Sequence, residues 1–519
     1  MTKQTVAAPR SETSLRRFIF NVGSNLGLVV LNMGVALWFT PYLIGVFGVA
    51  AYGVATLATS VATYMAIVDS ALNKALGRYL TIEIRQERFD AANRTFNTAL
   101  GLSLAISAVL LPIIGLFSYL APRLFDTPVG QESATQWVFA AALLSYLLIV
   151  IRGVFTTSPF ATNRLDLQNL VQASGIVIRV VATVLLVSLV VAPSVSTIGT
   201  GVLVGMLVST FLAWLVMRRL TPQLKINLRY FNRAQLASLF GISSWVFINE
   251  IGSLLSLNID QIVVNVRLGA EVQGSYALAL QWSVLLLTLG RAASTALAPM
   301  MMIQYAGGHL EQLAATSRRA VKYLGLAMAL PVALIVGFAP ALLRVWVGPE
   351  FEPLSLVLAI IVFPLCVYIA VTPLFTIQIA YNRVRVPAFV SFATGVANLA
   401  LALWWVGLGR LGLGVALASA AALAFRFVFF TPYYSARIQS LPWYTYYPAL
   451  LTIIGSAAGT ALGARLLSQV WVLNSWLALL AAFAAVGLVY VALVYLVGLS
   501  SAEKREVRSL VERYTRRFG

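Results

Sequence analysis

Charged residues, cysteine and histidine are all scarce in this sequence of 519 residues. Only 10% of its residues are charged, whereas roughly 25% are charged in a typical soluble domain. The single cysteine, Cys366, cannot support a disulfide framework or a cysteine metal site, and the single histidine, His309, removes the usual zinc and proton-relay chemistries. We therefore expect no catalytic residue, no bound metal and no cofactor.

Apolar residues dominate instead, at 60% of the sequence and a mean hydropathy of +0.88. No stretch is polar enough to form the surface of a soluble domain. The net charge is +19, and the basic residues that produce it lie between apolar runs. This arrangement is typical of contact with anionic lipid headgroups and not with nucleic acid. Residues 1–17 are basic and lack the cleavage pattern of a signal peptide, so we expect them to be retained.

Apolar runs of about 20 residues, the length of a helix that crosses a bilayer, recur along the chain. We predict fourteen transmembrane helices, and hence an all-α polytopic membrane protein. Their spans are 18–40, 50–70, 95–117, 136–155, 171–191, 198–217, 239–266, 275–297, 321–339, 354–379, 386–406, 411–430, 447–467 and 475–498.

Lysine and arginine are unevenly distributed between the segments that connect these spans. Twenty-eight lie in the two tails and the even-numbered connections, where Arg152 is assigned to the segment after the fourth span, and five lie in the alternate connections. Because basic connections stay in the cytoplasm, we predict two cytoplasmic termini in a bacterial inner membrane. Arg179, Arg291 and Arg426 fall inside predicted spans.

Three short motifs recur at similar spacing and indicate an internal duplication. Each motif links one span to the span six places later, so the two copies have the same orientation in the membrane. Gly48 and Gly53 match Gly269 and Gly274 at an offset of 221; Asn163 and Arg164 match Asn382 and Arg383 at 219; Gly199 and Gly201 match Gly412 and Gly414 at 213.

The duplication predicts two parallel six-helix lobes around a central cavity, with two further C-terminal helices. Transporters with such repeats bind substrate between the lobes and alternate its access. The predicted parts are a cytoplasmic tail (1–17), an N-lobe (18–220), an inter-lobe loop (221–238), a C-lobe (239–437), two further spans (438–499) and a basic amphipathic tail on anionic lipid (500–519).

Polar residues recur at helical spacing on several spans, and lipid offers such faces no partner. At the same offsets, Asn32 aligns with Ser253, Ser70 with Arg291 and Arg179 with Asn398, which indicates that equivalent faces of the spans point inward. The alternative is that these atoms only join helices, at ~0.6–2 kcal/mol each. Candidate substrate-binding residues are Arg179, Arg291, Arg426, Lys74, Asn25, Asn32, Asn249 and Asn398, and candidate ion-coupling residues are Glu250, Asp260 and Asp69.

Two stretches resemble a known family. Tyr52 and Gly53, followed by Asp69, and the second-lobe stretch with Asp260 and Tyr276 are similar to the polysaccharide transporter (Wzx-type flippase) family of the multidrug/oligosaccharidyl-lipid/polysaccharide exporter superfamily. The resemblance covers roughly residues 15–500. It implies a two-lobe fold with a cationic cavity and transfer of undecaprenyl-diphosphate-linked oligosaccharide for O-antigen, lipopolysaccharide or exopolysaccharide synthesis, alongside polymerase or export machinery.

Other functions stay open at this point. A lipid II flippase and a drug–cation antiporter share the architecture, but a drug antiporter should centre its cavity on carboxylates, whereas here arginines balance them. A membrane polysaccharide polymerase or glycosyltransferase should carry a long external loop with carboxylates or histidines, and the longest predicted external loop has about 18 residues. The residues favour an anion-accepting cavity, because arginines on inward faces can hold a diphosphate by charge-assisted hydrogen bonds.

Overall fold

The computed structural model describes residues 11–190, 193–233, 244–295, 297–498, 501 and 503–505, and these residues form helices and connecting turns without strands. The α-helices are α1 (Ser11–Phe47), α2 (Val49–Tyr64), α3 (Ala66–Arg85), α4 (Phe89–Leu124), α5 (Glu132–Ala161), α6 (Leu165–Leu189), α7 (Val195–Leu220), α8 (Ser244–Leu268), α9 (Ala270–Thr295), α10 (Ala298–Ala306), α11 (Leu310–Gly337), α12 (Ala339–Trp346), α13 (Ser355–Val362), α14 (Leu365–Ala380), α15 (Arg385–Trp405), α16 (Leu413–Ala424), α17 (Thr431–Ile438), α18 (Tyr447–Val470) and α19 (Trp476–Leu493). Short 3-10 segments lie at Leu228–Tyr230 and Pro349–Leu354, and π-helical segments at Phe425–Phe430 and Val494–Gly498.

Twelve of the fourteen predicted spans coincide with described helices that are long and apolar enough to cross a membrane. The chain is therefore a multi-pass, all-helical membrane protein. The second predicted span is divided between α2 and α3, because the 16-residue α2 ends at Tyr64 and Met65 separates it from α3. The seventh corresponds to α8, whose row of polar residues lowers its hydropathy; residues 239–243 of that span lie outside the described part.

By its contacts, the chain divides into two compact units. Unit 1 comprises residues 1–254 and 261–274, and unit 2 comprises residues 255–260 and 275–519. In unit 1, α5 packs against α2, α3, α4 and α7. In unit 2, α11 packs against α14 and α18, and α15 packs against α16. The lobe bounds given by the sequence stay a prediction.

Helix ends test the internal duplication independently of residue identity. Asn163 and Asn382, two matched residues, both have left-handed backbones, with φ of 56° and 52°, and Gly48 and Gly269 have φ of 82° and 94°. These two pairs of turn residues are accompanied by six pairs of helix ends that recur in the same order in both repeats. The corresponding ends are Phe47 and Leu268, Val49 and Ala270, Arg85 and Ala306, and Phe89 and Leu310, all 221 apart; then Ala161 and Ala380, 219 apart, and Val195 and Leu413, 218 apart.

The third sequence match is wrong in its register. Gly199 lies inside α7, whereas Gly412 precedes α16 with a left-handed φ of 77°. The ends of α7 and of Leu413–Ile438 instead give 218, so Gly201 corresponds to Ser419. A pair of glycines two residues apart is too common in apolar helices to fix the alignment alone.

Two asparagines of α4 hold the segment after α7 in unit 1. The side-chain amide of Asn93 donates to the carbonyl of Gln223 at 3.0 Å, and its oxygen accepts from the backbone N–H of Lys225 at 2.7 Å. Asn97 repeats this pair of bonds one turn later, with the carbonyl of Lys225 and the N–H of Asn227, both at 2.8 Å. Because Asn97 is fully buried, these backbone groups would be costly to leave unpaired.

Candidate functional site

A buried carboxylate lies at the junction of α8, α15 and α16 in unit 2. Asp260 is 3% exposed, and its two oxygens accept three kinds of donor. The hydroxyl of Tyr276 donates at 2.9 Å and the side-chain amide of Asn398 at 3.3 Å. The hydroxyl of Ser419 lies 2.7 Å from both carboxylate oxygens and is also 3.0 Å from the amide nitrogen of Asn398.

All of these partners are neutral. Among the described residues, this carboxylate is held by hydroxyl and amide groups. A buried carboxylate surrounded by hydroxyl and amide oxygens can accept a proton or coordinate a hard cation such as Na⁺. The arrangement is therefore suited to ion exchange.

The equivalent junction of the first repeat lies in unit 1 and is basic. The guanidinium carbon of Arg179 lies 6.0 Å from the ring centre of Phe39. A Cβ added to Gly201 would lie 3.1 Å from the carbonyl oxygen of Arg179, so α6 and α7 are in close contact here. The repeat-related pairs are Phe39 and Asp260, Arg179 and Asn398, and Gly201 and Ser419.

The two junctions thus carry opposite charge, but at different positions of the repeat, because Arg179 corresponds to Asn398 and Asp260 corresponds to Phe39. In the first repeat, the Nε atom of Arg179 is buried and has no hydrogen-bond partner among the described residues. An unpaired buried donor costs roughly 1–3 kcal/mol, more when it is charged. An anionic ligand that accepted from this group would recover that cost, which makes Arg179 the strongest anion-binding candidate in the predicted set.

Two other residues on the polar face of α6, Gly175 and Thr183, pack against α7. A Cβ added to Gly175 would lie 2.9 Å from the side chain of Ser209 on α7, and Thr183 is fully buried where Gly201 makes room for it. This part of the face packs α6 against α7. Small residues at this spacing permit close packing of two helices, which favours the alternative that these residues join helices.

The remaining predicted residues lie at separate places. Arg291 is exposed on α9, and Asn249 and Glu250 are partly buried on α8. Arg426 is 7% exposed in the π-helical segment, with its guanidinium 4.9 Å from the ring of Phe427. Asn25 is exposed, and Asn32 donates to the carbonyl of Leu28 in its own helix at 2.8 Å. The side chains of Asp69 and Lys74 lie outside the described residues.

Sequence reasoning missed three residues. Ser419 and Tyr276 were not expected to contact Asp260, because a single serine in an alanine-rich helix and a single tyrosine carry no pattern. Arg152 was assigned to a connection, but it lies inside α5 and donates to the hydroxyl of Ser209 at 2.8 Å. The predicted span 136–155 already contains position 152, so the apolar run itself was the signal that places Arg152 in the span.

Comparisons with known proteins agree with this architecture. A family model described as "Polysaccharide biosynthesis protein" matches residues 18–303. The membrane protein EpsK of Bacillus subtilis (strain 168), itself described as uncharacterized, is 28% identical over 492 residues, or 95% of this chain and 97% of EpsK.

Two solved structures show the same fold at low sequence identity. The lipid II flippase MurJ, in an inward closed conformation, has a TM-score of 0.66 and 14% identity and covers 93% of this chain and 99% of its own. An inward-facing multidrug resistance transporter of the MATE family, of the MOP superfamily, has a TM-score of 0.54 and 17% identity, covering 82% of this chain and 96% of its own. The resemblance to this exporter superfamily is therefore confirmed at the level of fold.

Proposed function

This chain belongs to the polysaccharide biosynthesis protein family, and from that premise we propose that it is a flippase of the bacterial inner membrane. Its substrate is an undecaprenyl-diphosphate-linked oligosaccharide, which it moves from the inner to the outer leaflet by alternating access. The glycan is not changed chemically. Family membership and the two-repeat fold support transport, and the charged junctions support this class of substrate.

The observation that carries the proposal is the buried Nε atom of Arg179, which no described residue satisfies. A guanidinium has a planar set of donors that matches phosphate oxygens and can bind two at once. Its repeat mate, Asn398, has no charge and is already bonded to Asp260 and Ser419. The two repeats thus share one scaffold, but only the first carries an arginine at this position. A single basic group of this kind suits the binding of one anionic headgroup. Arg291, Arg426, Lys74, Asn25, Asn32 and Asn249 remain candidates for further substrate contacts.

Asp260 is the proposed coupling residue. Its carboxylate is held among neutral donors in unit 2, where loss or gain of one proton or cation would change every hydrogen bond in the cluster. Glu250 and Asp69 are the alternative coupling residues given by the sequence. Coupling through Asp260 would let an ion gradient bias the equilibrium between inward- and outward-open states.

Transport of lipid II is the second candidate, because the lipid II flippase MurJ matches 93% of this chain, compared with 82% for the multidrug transporter. This likeness is one of fold. Both candidates are tested with the same preparation by exchanging the lipid that is offered.

The test is translocation in proteoliposomes that contain the full chain and a labelled undecaprenyl-diphosphate-linked oligosaccharide. We expect Arg179→Ala to reduce the rate at least about tenfold, because a charge-assisted hydrogen bond contributes roughly 1.5–3 kcal/mol. Arg179→Lys should retain part of the rate, since it keeps the charge and loses the fork. Arg94→Ala, which removes an exposed arginine of α4, is the matched control.

The product is then recovered and its glycan analysed. An elongated or cleaved glycan would show an enzyme and would contradict the proposal. Normal translocation by a correctly inserted Arg179→Ala protein would remove Arg179 from the diphosphate site. Translocation of lipid II in preference to the oligosaccharide lipid would favour the second candidate.

A further inference from the structure

A cavity of about 480 Å³ lies within unit 1, between α3, α5 and α6. This volume falls in the range of small-ligand pockets, roughly 300–1,000 Å³. The cavity is separate from the basic junction of unit 1, because Arg179 lies seven residues beyond Gln172 on α6, or about 10 Å at 1.5 Å per residue. Its polar lining residues are Arg78, Arg152, Thr156, Thr157, Gln168 and Gln172.

The cavity is basic and rich in hydrogen-bonding groups. Arg78 and Arg152 contribute two positive charges, two threonines and two glutamines contribute hydroxyl and amide groups, and none of the ten lining residues is acidic. Arg152 is oriented by its hydrogen bond to Ser209 at 2.8 Å, and Ser209 in turn donates to the carbonyl of Val171 at 3.0 Å. One guanidinium is therefore held in place before any ligand arrives, and this lowers the entropy cost of binding.

Gln168 contributes a buried hydrogen-bond acceptor to the cavity. Its side-chain oxygen is buried and has no hydrogen-bond partner among the described residues. An amide oxygen only accepts hydrogen bonds, so its partner in the cavity would be a donor such as water or a ligand hydroxyl group, and not a phosphate oxygen. This polar atom and both guanidinium groups border the same space.

The cavity lies in the half of these helices that the predicted topology places towards the cytoplasm. Arg78 lies seven residues before the end of α3, and Arg152 lies nine residues before the end of α5, or about 14 Å. Gln168 lies three residues after the start of α6. In the predicted topology these three ends lie on the cytoplasmic side, where basic pockets between transmembrane helices bind anionic headgroups.

We propose that this cavity binds the phosphate headgroup of a lipid from the cytoplasmic leaflet, with Arg78 and Arg152 as its anion-binding residues. A mid-membrane guanidinium is expensive to bury unless an anion or a water-filled space accompanies it. A phosphate group supplies that anion, and the side-chain NH2 groups of Gln168 and Gln172 can donate to its remaining oxygens. The proposal is independent of the proposed function, because the site would hold a lipid phosphate whether or not the protein translocates a glycan.

The test is binding of three probes to the purified full chain in detergent: inorganic diphosphate, undecaprenyl diphosphate and cardiolipin. We expect R78Q and R152Q each to weaken the Kd of the preferred probe at least about tenfold. Arg78 is exposed, so R78Q reports on charge without a folding liability. R94Q removes an exposed arginine of α4 outside the cavity and should bind as the unchanged protein does.

The S209A variant separates an anion-binding role from a structural one. It removes the hydrogen bond to Arg152 and leaves its charge in the cavity, so we expect a loss of no more than a few-fold. A loss as large as that of R152Q, or equal binding of all probes by R78Q and the unchanged protein, would overturn the proposal. Stronger binding of undecaprenyl diphosphate would identify the source as a substrate-type lipid, and stronger binding of cardiolipin would identify it as a membrane phospholipid.

Discussion

At the scale of single residues, Asp260 and Glu250 allow the surroundings of two carboxylates on one helix to be compared. Both carboxylates lie on α8, ten residues apart, but Asp260 is held by three neutral partners and Glu250 is only partly buried. Both residues were named by the sequence as ion-coupling candidates. Only the structure distinguishes them, because the partners of Asp260 come from segments 16, 138 and 159 residues away.

We predict that Asp260→Asn abolishes the dependence of transport on an ion gradient. The substitution keeps the size of the side chain but removes the charge that a proton or cation would neutralise. The thermal midpoint of the purified protein should change by about 3 °C or less, since the hydroxyl groups of Tyr276 and Ser419 can rotate to accept from the new amide group, at a cost of about 1 kcal/mol. Transport is measured in vesicles with and without proton or sodium gradients.

Glu250→Gln is the matched control on the same helix and should keep its response to the gradient. The reverse result, a gradient response lost in Glu250→Gln and kept in Asp260→Asn, would move the coupling site to Glu250. The sequence could predict Asp260 and Asn398, because polar residues in apolar spans are conspicuous. It could not predict Ser419, since a serine alone is also compatible with simple helix packing.

At the scale of elements, hydropathy located twelve spans because burial in lipid demands apolar helices of nearly fixed length. It did not show the end of α2 at Met65, where the backbone N–H bonds to the carbonyl of Ala62 at 3.0 Å, three residues back. Hydropathy does not reveal such a break, because the residues on both sides of it are apolar. The clamp between α4 and the segment after α7 was also invisible, since it joins residues about 130 positions apart.

We predict that Asn97→Leu releases this segment from α4. The change leaves the carbonyl of Lys225 and the N–H of Asn227 without partners, at roughly 1–3 kcal/mol each. The amide of Asn227 should therefore exchange its hydrogen at least about tenfold faster. Hydrogen exchange measured by mass spectrometry on the purified protein tests this. Arg94→Gln, an exposed change one turn earlier on α4, should have no effect, and unchanged exchange in Asn97→Leu would disprove the clamp.

At the scale of the whole molecule, the duplication explains features that no local pattern does. In unit 1, a Cβ added to Gly53 would lie 2.5 Å from the carbonyl oxygen of Ala270 and 2.8 Å from the backbone nitrogen of Gly274. Gly274 is the repeat mate of Gly53, so equivalent glycines lie on both sides of this close approach of α2 and α9. A Cβ on either glycine would overlap backbone atoms of the other helix, which accounts for a glycine at both positions.

The orientation of the molecule in the membrane is the last prediction, and it follows from charge alone. Basic residues favour the cytoplasmic side, and 28 of them lie in the segments assigned there, against five in the segments assigned outside. Moving Arg152 into α5 leaves that imbalance intact. Arg229 and Arg516 should therefore face the cytoplasm, and Glu350 and Arg410 should face outward.

Labelling of single cysteines introduced at 229, 350 and 410 tests this orientation. All three positions are exposed, and the native Cys366 is buried, so an impermeant thiol reagent has little background to label. In intact cells we expect reaction at 350 and 410, and at 229 only after the membrane is opened. An even number of spans separates 229 from the C-terminal tail in the predicted topology, so position 516, outside the described residues, should behave as 229 does. Reaction of 229 and 350 from the same side would contradict the span assignment, because one helix more or fewer between them inverts every later segment.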